Sequence, residues 1–471
     1  MTITLLAIIL PLLGAVGQSA FGGPRAGAVS NAVLSAAGFV LTLAVAWSGQ
    51  VGELAALFGG LSGFVGLTAA LANIVFVRAD AARFGARRWR CYHGLFQLIL
   101  GLSLLGLYTD NIGLLWLALA GEAVATALAI SLDGTAPALA AAWAGLLTGA
   151  VGTILALFGS LLVYLAAQPV LPAGLSGMRF SALSAHAGHL NPSLLCLGFI
   201  LIVFGYGVRI TLMPLQRSAL GHDVAGEMPL NFVLRGLFIN VALLAILRFG
   251  HLVRVSAGPM LPASLLLTLS LITLFFAVFA LVRRRDIRRF LAAAAAQQAA
   301  ISLLAFGIGG TLAVFGGLLQ MLLRTLLISG ALVALAPVAD AGGDQRLSFV
   351  RLRGLLHGRL YTGWVLAITI FSLACLPPSG LFVGAFIIIK QVILNNPRIC
   401  LPFALALGLC AVPILRRAAG LLPRRAPVAK LRNKQWCSHL TVLHLVLVLV
   451  LAFAMPLPLV HLLTQAAEAL Q

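Results

Sequence analysis

Long apolar runs, each closed by charged residues or by a stretch rich in Gly, Pro and Asn, set the pattern of this chain. A transmembrane helix needs roughly 20 mostly apolar residues. Fourteen such runs are found, near 2 to 21, 28 to 48, 56 to 77, 94 to 109, 112 to 132, 141 to 167, 194 to 216, 227 to 249, 260 to 282, 287 to 308, 311 to 337, 362 to 394, 399 to 415 and 439 to 463. The expected fold class is an all-α polytopic membrane protein of about fourteen transmembrane helices. Met1 to Leu6 carries no basic residue and no clear small-residue cleavage site precedes Arg25, so the first run reads as a helix and not as a signal peptide.

Composition sharpens this reading. A chain of 471 residues would suggest about three soluble domains, but 61% of the residues are hydrophobic and 9% are charged, against about 25% charged in globular proteins. The net charge of +20 would point to nucleic acid on a soluble protein. Here its distribution matters more. Of the 31 Lys and Arg residues, 23 fall in loops after odd-numbered runs, four on the opposite face (Arg179, Arg248, Arg254, Arg398) and four within runs (Arg209, Arg235, Arg324, Lys390). Cytoplasmic loops collect basic residues, so the charge reports topology: both termini outside and the basic loops cytoplasmic, in a bacterial-type inner (plasma) membrane. The partner expected on this basis is the lipid bilayer, not nucleic acid. The six cysteines are scattered without a CxxC pair, which indicates neither a disulfide framework nor a metal centre. There is no Walker loop, dinucleotide fingerprint or nucleophile elbow, so no catalytic residue, cofactor or metal ligand is assigned.

Two runs are interrupted by proline. The seventh contains Pro214 beside Gly205 and Gly207, and the twelfth contains Pro377, Pro378 and Gly380. Broken helices leave backbone groups unpaired, which a membrane tolerates only where protein or a wet cavity satisfies them. Breaks five runs apart suggest two inverted repeats of five helices, an arrangement that marks ion paths in transporters. The division expected is N-terminal helices over 1–110, a first repeat over 111–250, a second over 251–395 and C-terminal helices over 396–471. Ionisable residues inside spans are candidates for function: Glu122 in the fifth run, Arg209 in the seventh, Arg324 in the eleventh and Lys390 in the twelfth. Anchoring is the plainer reading of Arg324 and Lys390, as it is of Arg235, which sits near enough to a helix start to snorkel.

Several stretches are similar to the antiporter-like, proton-translocating membrane subunits of complex I, cation/proton antiporters and group-4 hydrogenases, and most of all to the hydrogenase-4 F-type subunit. They are NIGLLWLALAGEA at 111–123, AAWAGLLTGAVGTILALFGSLLVYLAA at 141–167, FGYGVRITLMPLQ at 204–216 followed by FINVALLAILRF at 238–249, RRDIRRFLAAAAAQQ at 284–298 and LPPSGLFVGAFIIIK at 376–390. The resemblance implies a membrane-arm subunit of an NADH-quinone oxidoreductase-like or hydrogenase-like complex. Such a subunit translocates protons while other membrane and soluble subunits do the redox chemistry.

The resemblance also implies titratable residues that this chain has replaced. The family's fifth-helix glutamate falls on Ala120, with Glu122 two residues later and therefore about 200° around the helix. Its lysines in helices six and seven fall on Ala144 and Arg209, and the histidine after the break falls on Gln216. The positions after RRDIRR are Ala294, Gln297 and Gln298; those of helix eleven are Gln320, Arg324 and Ile328; the carboxylate of helix twelve falls on Ala385, and only Lys390 is kept. Arginine holds a fixed charge where lysine can release a proton. Two alternatives follow: a proton-silent scaffold subunit of such a complex, or the membrane partner of an inorganic-carbon uptake complex. For topology, reporter fusions after Arg90, Arg289 and Lys434 are all expected to read cytoplasmic; one reading periplasmic breaks the alternation of helices.

Overall fold

A hydrocarbon interior offers backbone N–H and C=O groups no water, so a chain this apolar has to close its hydrogen bonds within helices. The computed structural model describes residues 2–80, 84–172, 174–213, 229–339, 348–350, 352, 360–422 and 436–470. Among them, thirteen helices are long and apolar enough to cross a membrane. In order, α1 to α6 are Thr2–Phe21, Pro24–Ser48, Glu53–Asp80, Ala86–Tyr108, Ile112–Ser131 and Ala136–Ala167. A short α7, Phe180–Ala185, precedes α8 to α12 at Pro192–Ile210, Pro229–Ala257, Met260–Arg283, Ile287–Ile308 and Thr311–Ala339. Then come α13 at Leu360–Ser372, α14 at Gly380–Asn395, α15 at Pro397–Leu421, α16 at Trp436–Phe453 and α17 at Leu457–Glu468.

Every apolar run of the sequence falls on helix, and three differ in detail. The twelfth is discontinuous as expected: α13 and α14 are separated by Leu373–Ser379, which contains Pro377 and Pro378. The seventh ends earlier than its run, at Ile210, because Thr211 adopts a left-handed conformation (φ 63°) and its N–H turns back to the Gly207 and Val208 carbonyls. Pro214 lies outside the described residues. The fourteenth run is not one helix, since α16 stops at Phe453 and α17 starts after Pro456. Pro456 and Pro458 lack the N–H groups that would continue the first helix.

The long α12 forms the axis of the molecule. Its apolar window is completely buried by α3, α9, α11, α13, α14, α16 and α17. By contrast only about a third or less of the apolar windows of α1, α6, α15 and α16 is buried, as suits helices facing lipid or another subunit.

Two corners of the chain match. Asn111 caps α5 by accepting from the Gly113 and Leu114 N–H groups, and Asp286 caps α11 by accepting from those of Arg288 and Arg289. Each cap residue forms an isolated antiparallel bridge to a segment two helices later, Asn111 to Arg179 and Asp286 to Ser348. The residue after each bridge is a phenylalanine whose N–H bonds the carbonyl just before the cap: Phe180 to Asp110 (2.7 Å) and Phe349 to Arg285 (3.0 Å). Both rings carry a guanidinium on one face, Arg248 over Phe180 and Arg417 over Phe349.

Helices α6 and α8 are brought together by small residues, since close approach of backbones is the main source of cohesion between helices in lipid. A Cβ at Gly205 would stand 2.6 Å from the Gly152 carbonyl oxygen and the Ala156 nitrogen, and one at Gly159 would stand 2.7 Å from the Gly198 carbonyl oxygen. Gly205→Leu is expected to lower stability by about 1–3 kcal/mol through overpacking, read as thermal unfolding in detergent. Gly408→Ala, at a site with nothing within 4 Å, should leave it unchanged.

Candidate functional site

The fifth-helix carboxylate and the seventh-helix cation meet. Glu122 Oε2 lies 2.6 Å from Arg209 Nη1, and the two side chains are 1% and 13% exposed. The other carboxylate oxygen accepts from Thr126 Oγ1 at 2.7 Å, one turn along α5. Arg209 Nη2 donates to the Leu119 carbonyl at 3.2 Å. A Cβ at Gly149 of α6 would come within 3.4 Å of that same nitrogen, so the glycine opens the space the guanidinium uses. Arg209 also sits in the last turn of α8, where the carbonyl end of the helix dipole favours a cation. The displacement of the carboxylate from position 120 to 122 therefore does not turn it out to lipid. It faces α8, and Ala120 is half-buried.

Behind Arg209 lies a cavity of about 70 Å³ lined by Arg209, Thr211, Gly236, Arg324, Thr325 and Ser329, among others. At roughly 10–15 Å³ per water, it has room for several. Arg324, 2% exposed, is held by Asn240 Oδ1, and Asn240 Nδ2 in turn donates to Thr325 Oγ1 at 2.9 Å. Two guanidinium groups thus face one small space, and among the described residues only Arg209 has a carboxylate against it. Ile328, at a position where the resemblance implies a titratable group, contributes to the cavity wall instead.

Neutral amides fill the second broken region. Gln320 Nε2 donates to Gln298 Oε1 at 2.6 Å, and Gln298 Nε2 donates to the Leu373 carbonyl at 2.9 Å, at the end of α13. Cys375, with φ 54°, brings its Sγ within 3.2 Å of Gln298 Nε2. The buried amide of Gln297 has no hydrogen-bond partner at either atom among the described residues. Lys390 is not part of this assembly: it is exposed on α14. The side chain of Arg235, and Gln216 beyond the end of α8, lie outside the described residues. Among the described residues no three His, Cys, Asp or Glu side chains are grouped to hold a metal ion.

Sequence reasoning singled out Glu122, Arg209 and Arg324 but missed Thr126, Asn240, Thr325 and Ser329. One signal for the last two was present: Ser329 follows Thr325 by four residues, so the two share a face of α12.

A polytopic helical bundle with one discontinuous helix and a charge pair buried beside a central cavity defines an antiporter-like membrane protein. The chain belongs to the family described as NADH:quinone oxidoreductase/Mrp antiporter, transmembrane, which residues 109–414 match. It is 32% identical over 411 residues to the hydrogenase-4 component F homolog of Methylacidiphilum infernorum, covering 85% of this chain and 86% of the relative. In fold it is similar to a chain of the archaeal membrane-bound sulfane sulfur reductase, with TM-score 0.82, 20% identity and coverage of 100% and 98% of the two chains. It is likewise similar to a chain of respiratory complex I from Thermus thermophilus, with TM-score 0.81, 19% identity and coverage of 99% and 100%.

The charge pair makes a thermodynamic prediction. Removing one partner of a buried ion pair strands the other and costs about 3–5 kcal/mol. Glu122→Ala and Arg209→Ala are each expected to destabilise by about that amount. The double variant should cost far less than their sum, and simple additivity in a double-mutant cycle would show that the two charges do not interact.

Proposed function

We propose that the chain is a proton-translocating membrane-arm subunit of a complex I-like or hydrogenase-like complex, in a bacterial-type inner membrane with both termini outside. Partner subunits would carry out the redox chemistry. The observation that carries this reading is the Glu122–Arg209 pair opening onto the cavity shared with Arg324. Glu122 is the group there that can exchange a proton, whereas the two arginines keep their charge. Their part is to hold the carboxylate and orient water. A proton leaving Glu122 toward the cavity would uncover its charge beside Arg209, which offsets the cost of an isolated buried carboxylate.

The matched corners at Asn111 and Asp286 support the repeat reading. Equivalent caps, bridges and arginine-covered phenylalanines recur five membrane spans apart, and an odd number of crossings between them inverts the second copy. On this reading α4 to α9 form the first repeat and α10 to α15 the second, so each includes one helix beyond the boundaries 111–250 and 251–395. Lys390, on an outward face, fits a contact with a neighbouring subunit.

A second reading, membrane partner of an inorganic-carbon uptake complex, rests on the two guanidinium groups at one cavity, which suit a small oxyanion. Co-purification of a carbonic-anhydrase-like chain in place of a redox partner would favour it. The experiment for the main reading is proton movement in vesicles containing the assembled complex. Glu122→Gln is expected to lower it about tenfold or more, equivalent to raising a barrier by about 1.4 kcal/mol, with assembly intact. Unchanged movement in an active complex would leave the chain a scaffold. Arg209→Lys, which keeps the charge but adds a group that can lose a proton, should retain or raise it.

A further inference from the structure

The cavity has a second neighbour of ionisable type. Ser329, on its wall, has its Oγ 3.1 Å from Nδ1 of His444 on α16, a residue beyond the 109–414 match and buried to 1% exposure. His444 Nδ1 is also 3.0 Å from the Leu326 carbonyl, and its Nε2 is 3.0 Å from Thr68 Oγ1 on α3. A carbonyl only accepts, so Nδ1 carries the hydrogen in the neutral ring and Nε2 accepts from the threonine hydroxyl. The ring is therefore joined on one side to the cavity and on the other to the N-terminal helices.

We propose that His444 is a proton-transfer station that links the Arg209–Arg324 cavity to the α3 side of the bundle. The inference rests on the proton-translocating reading above and adds to it a residue from outside the matched region. A proton arriving from the Thr68 side binds at Nε2, and the Nδ1 proton then leaves through Ser329 to the cavity, so one proton enters the ring for each that departs. The ring is then the Nε2–H tautomer, with the Ser329 hydroxyl turned to donate to the bare Nδ1, and it exchanges back to the Nδ1–H form before the next transfer. Each state is hydrogen-bonded. When Nε2 is protonated it donates to Thr68 Oγ1, whose own hydrogen turns to the Val65 carbonyl 3.1 Å away. The groups facing the ring are Thr68 and Phe64 from α3, and Leu326, Ser329 and Gly330 from α12, with Arg324 farther along α12 as the nearest charge in sequence.

His93, also buried, shows what a histidine without this freedom looks like. Its Nε2 faces the Pro24 carbonyl at 3.1 Å, and its Nδ1 faces the Asn31 amide nitrogen at 3.0 Å. One nitrogen must donate and the other must accept, so a second proton would oppose the Asn31 N–H.

The test uses the complete complex in vesicles with an entrapped pH dye. His444→Gln, which hydrogen-bonds but does not carry a proton, is expected to lower proton movement about a hundredfold, the lower end of what a positioned proton-transfer group contributes. Thr68→Val, which removes the receiving hydroxyl at nearly constant volume, should lower it as well. Full movement in both variants while Glu122→Gln abolishes it overturns the role of His444 and leaves the proposed function standing. Full movement in all three overturns both. Should His444→Gln fail to assemble, Thr68→Val and ¹⁵N spectra of histidine-labelled complex decide. The His444 signal must show Nε2 gaining a proton as the pH falls, and one fixed in the neutral Nδ1–H form throughout overturns the proposal.

Discussion

A carboxylate and a guanidinium in contact, 1% and 13% exposed within a bundle of apolar helices, impose conditions on everything around them. Each ion taken from water costs several kcal/mol, and the attraction between them repays that only when their remaining donors and acceptors are also satisfied. The surroundings of Glu122 and Arg209 meet this requirement piece by piece. Thr126 takes one carboxylate oxygen, the Leu119 carbonyl takes an Arg209 N–H, and Gly149 leaves the room a side chain would fill. The end of α8 at Thr211 leaves Arg209 in its last turn, where the helix dipole welcomes a cation. The glycines that let α6 and α8 approach belong to the same design, because a wider gap would open the pair to lipid.

The breaks in the helices serve the same economy. Where α13 stops, the Leu373 carbonyl is left without an intrahelical partner, and Gln298 supplies one from α11. Backbone irregularity and buried polar side chains are therefore coupled: each is affordable because the other is present. The same coupling explains why the polar residues of α11 and α12 face inward on the most enclosed helices of the molecule, where an isolated amide would otherwise be a pure loss.

Much of this was legible in the sequence, for reasons that can be named. Membrane crossings announce themselves by length and apolarity, so all fourteen runs fell on helix, and Pro377, Pro378 and Gly380 marked the break between α13 and α14. The rarity of charge in such runs singled out Glu122 and Arg209 as residues, though not their contact. Other features depend on three-dimensional facts that no local pattern contains. The end of α8 at Ile210 is fixed by a threonine in a left-handed conformation, a choice that residue type seldom signals. The break before α17 has its prolines in plain view at 456 and 458, but the flanking residues are apolar enough to read as one span. Ser329 and His444 are separated by 115 positions, and nothing along the chain indicates that they touch.

The helices that follow the two matched corners differ in charge at corresponding places. Glu122 stands eleven residues after the cap Asn111, and Gln297 stands eleven residues after the cap Asp286. The first is ionisable and paired, whereas the second is a neutral amide with both polar atoms unbonded by protein. An amide can align water, because it donates and accepts, but it cannot hold an excess proton. Among the described residues the buried carboxylate thus lies at the first corner, and the region around Gln297 contributes neutral amides. Among the described residues the break between α13 and α14 is surrounded by Gln298, Gln320 and Cys375, none of them a carboxylate or a cation, whereas the end of α8 carries an ion pair, so the two places differ in whether a group there can change charge.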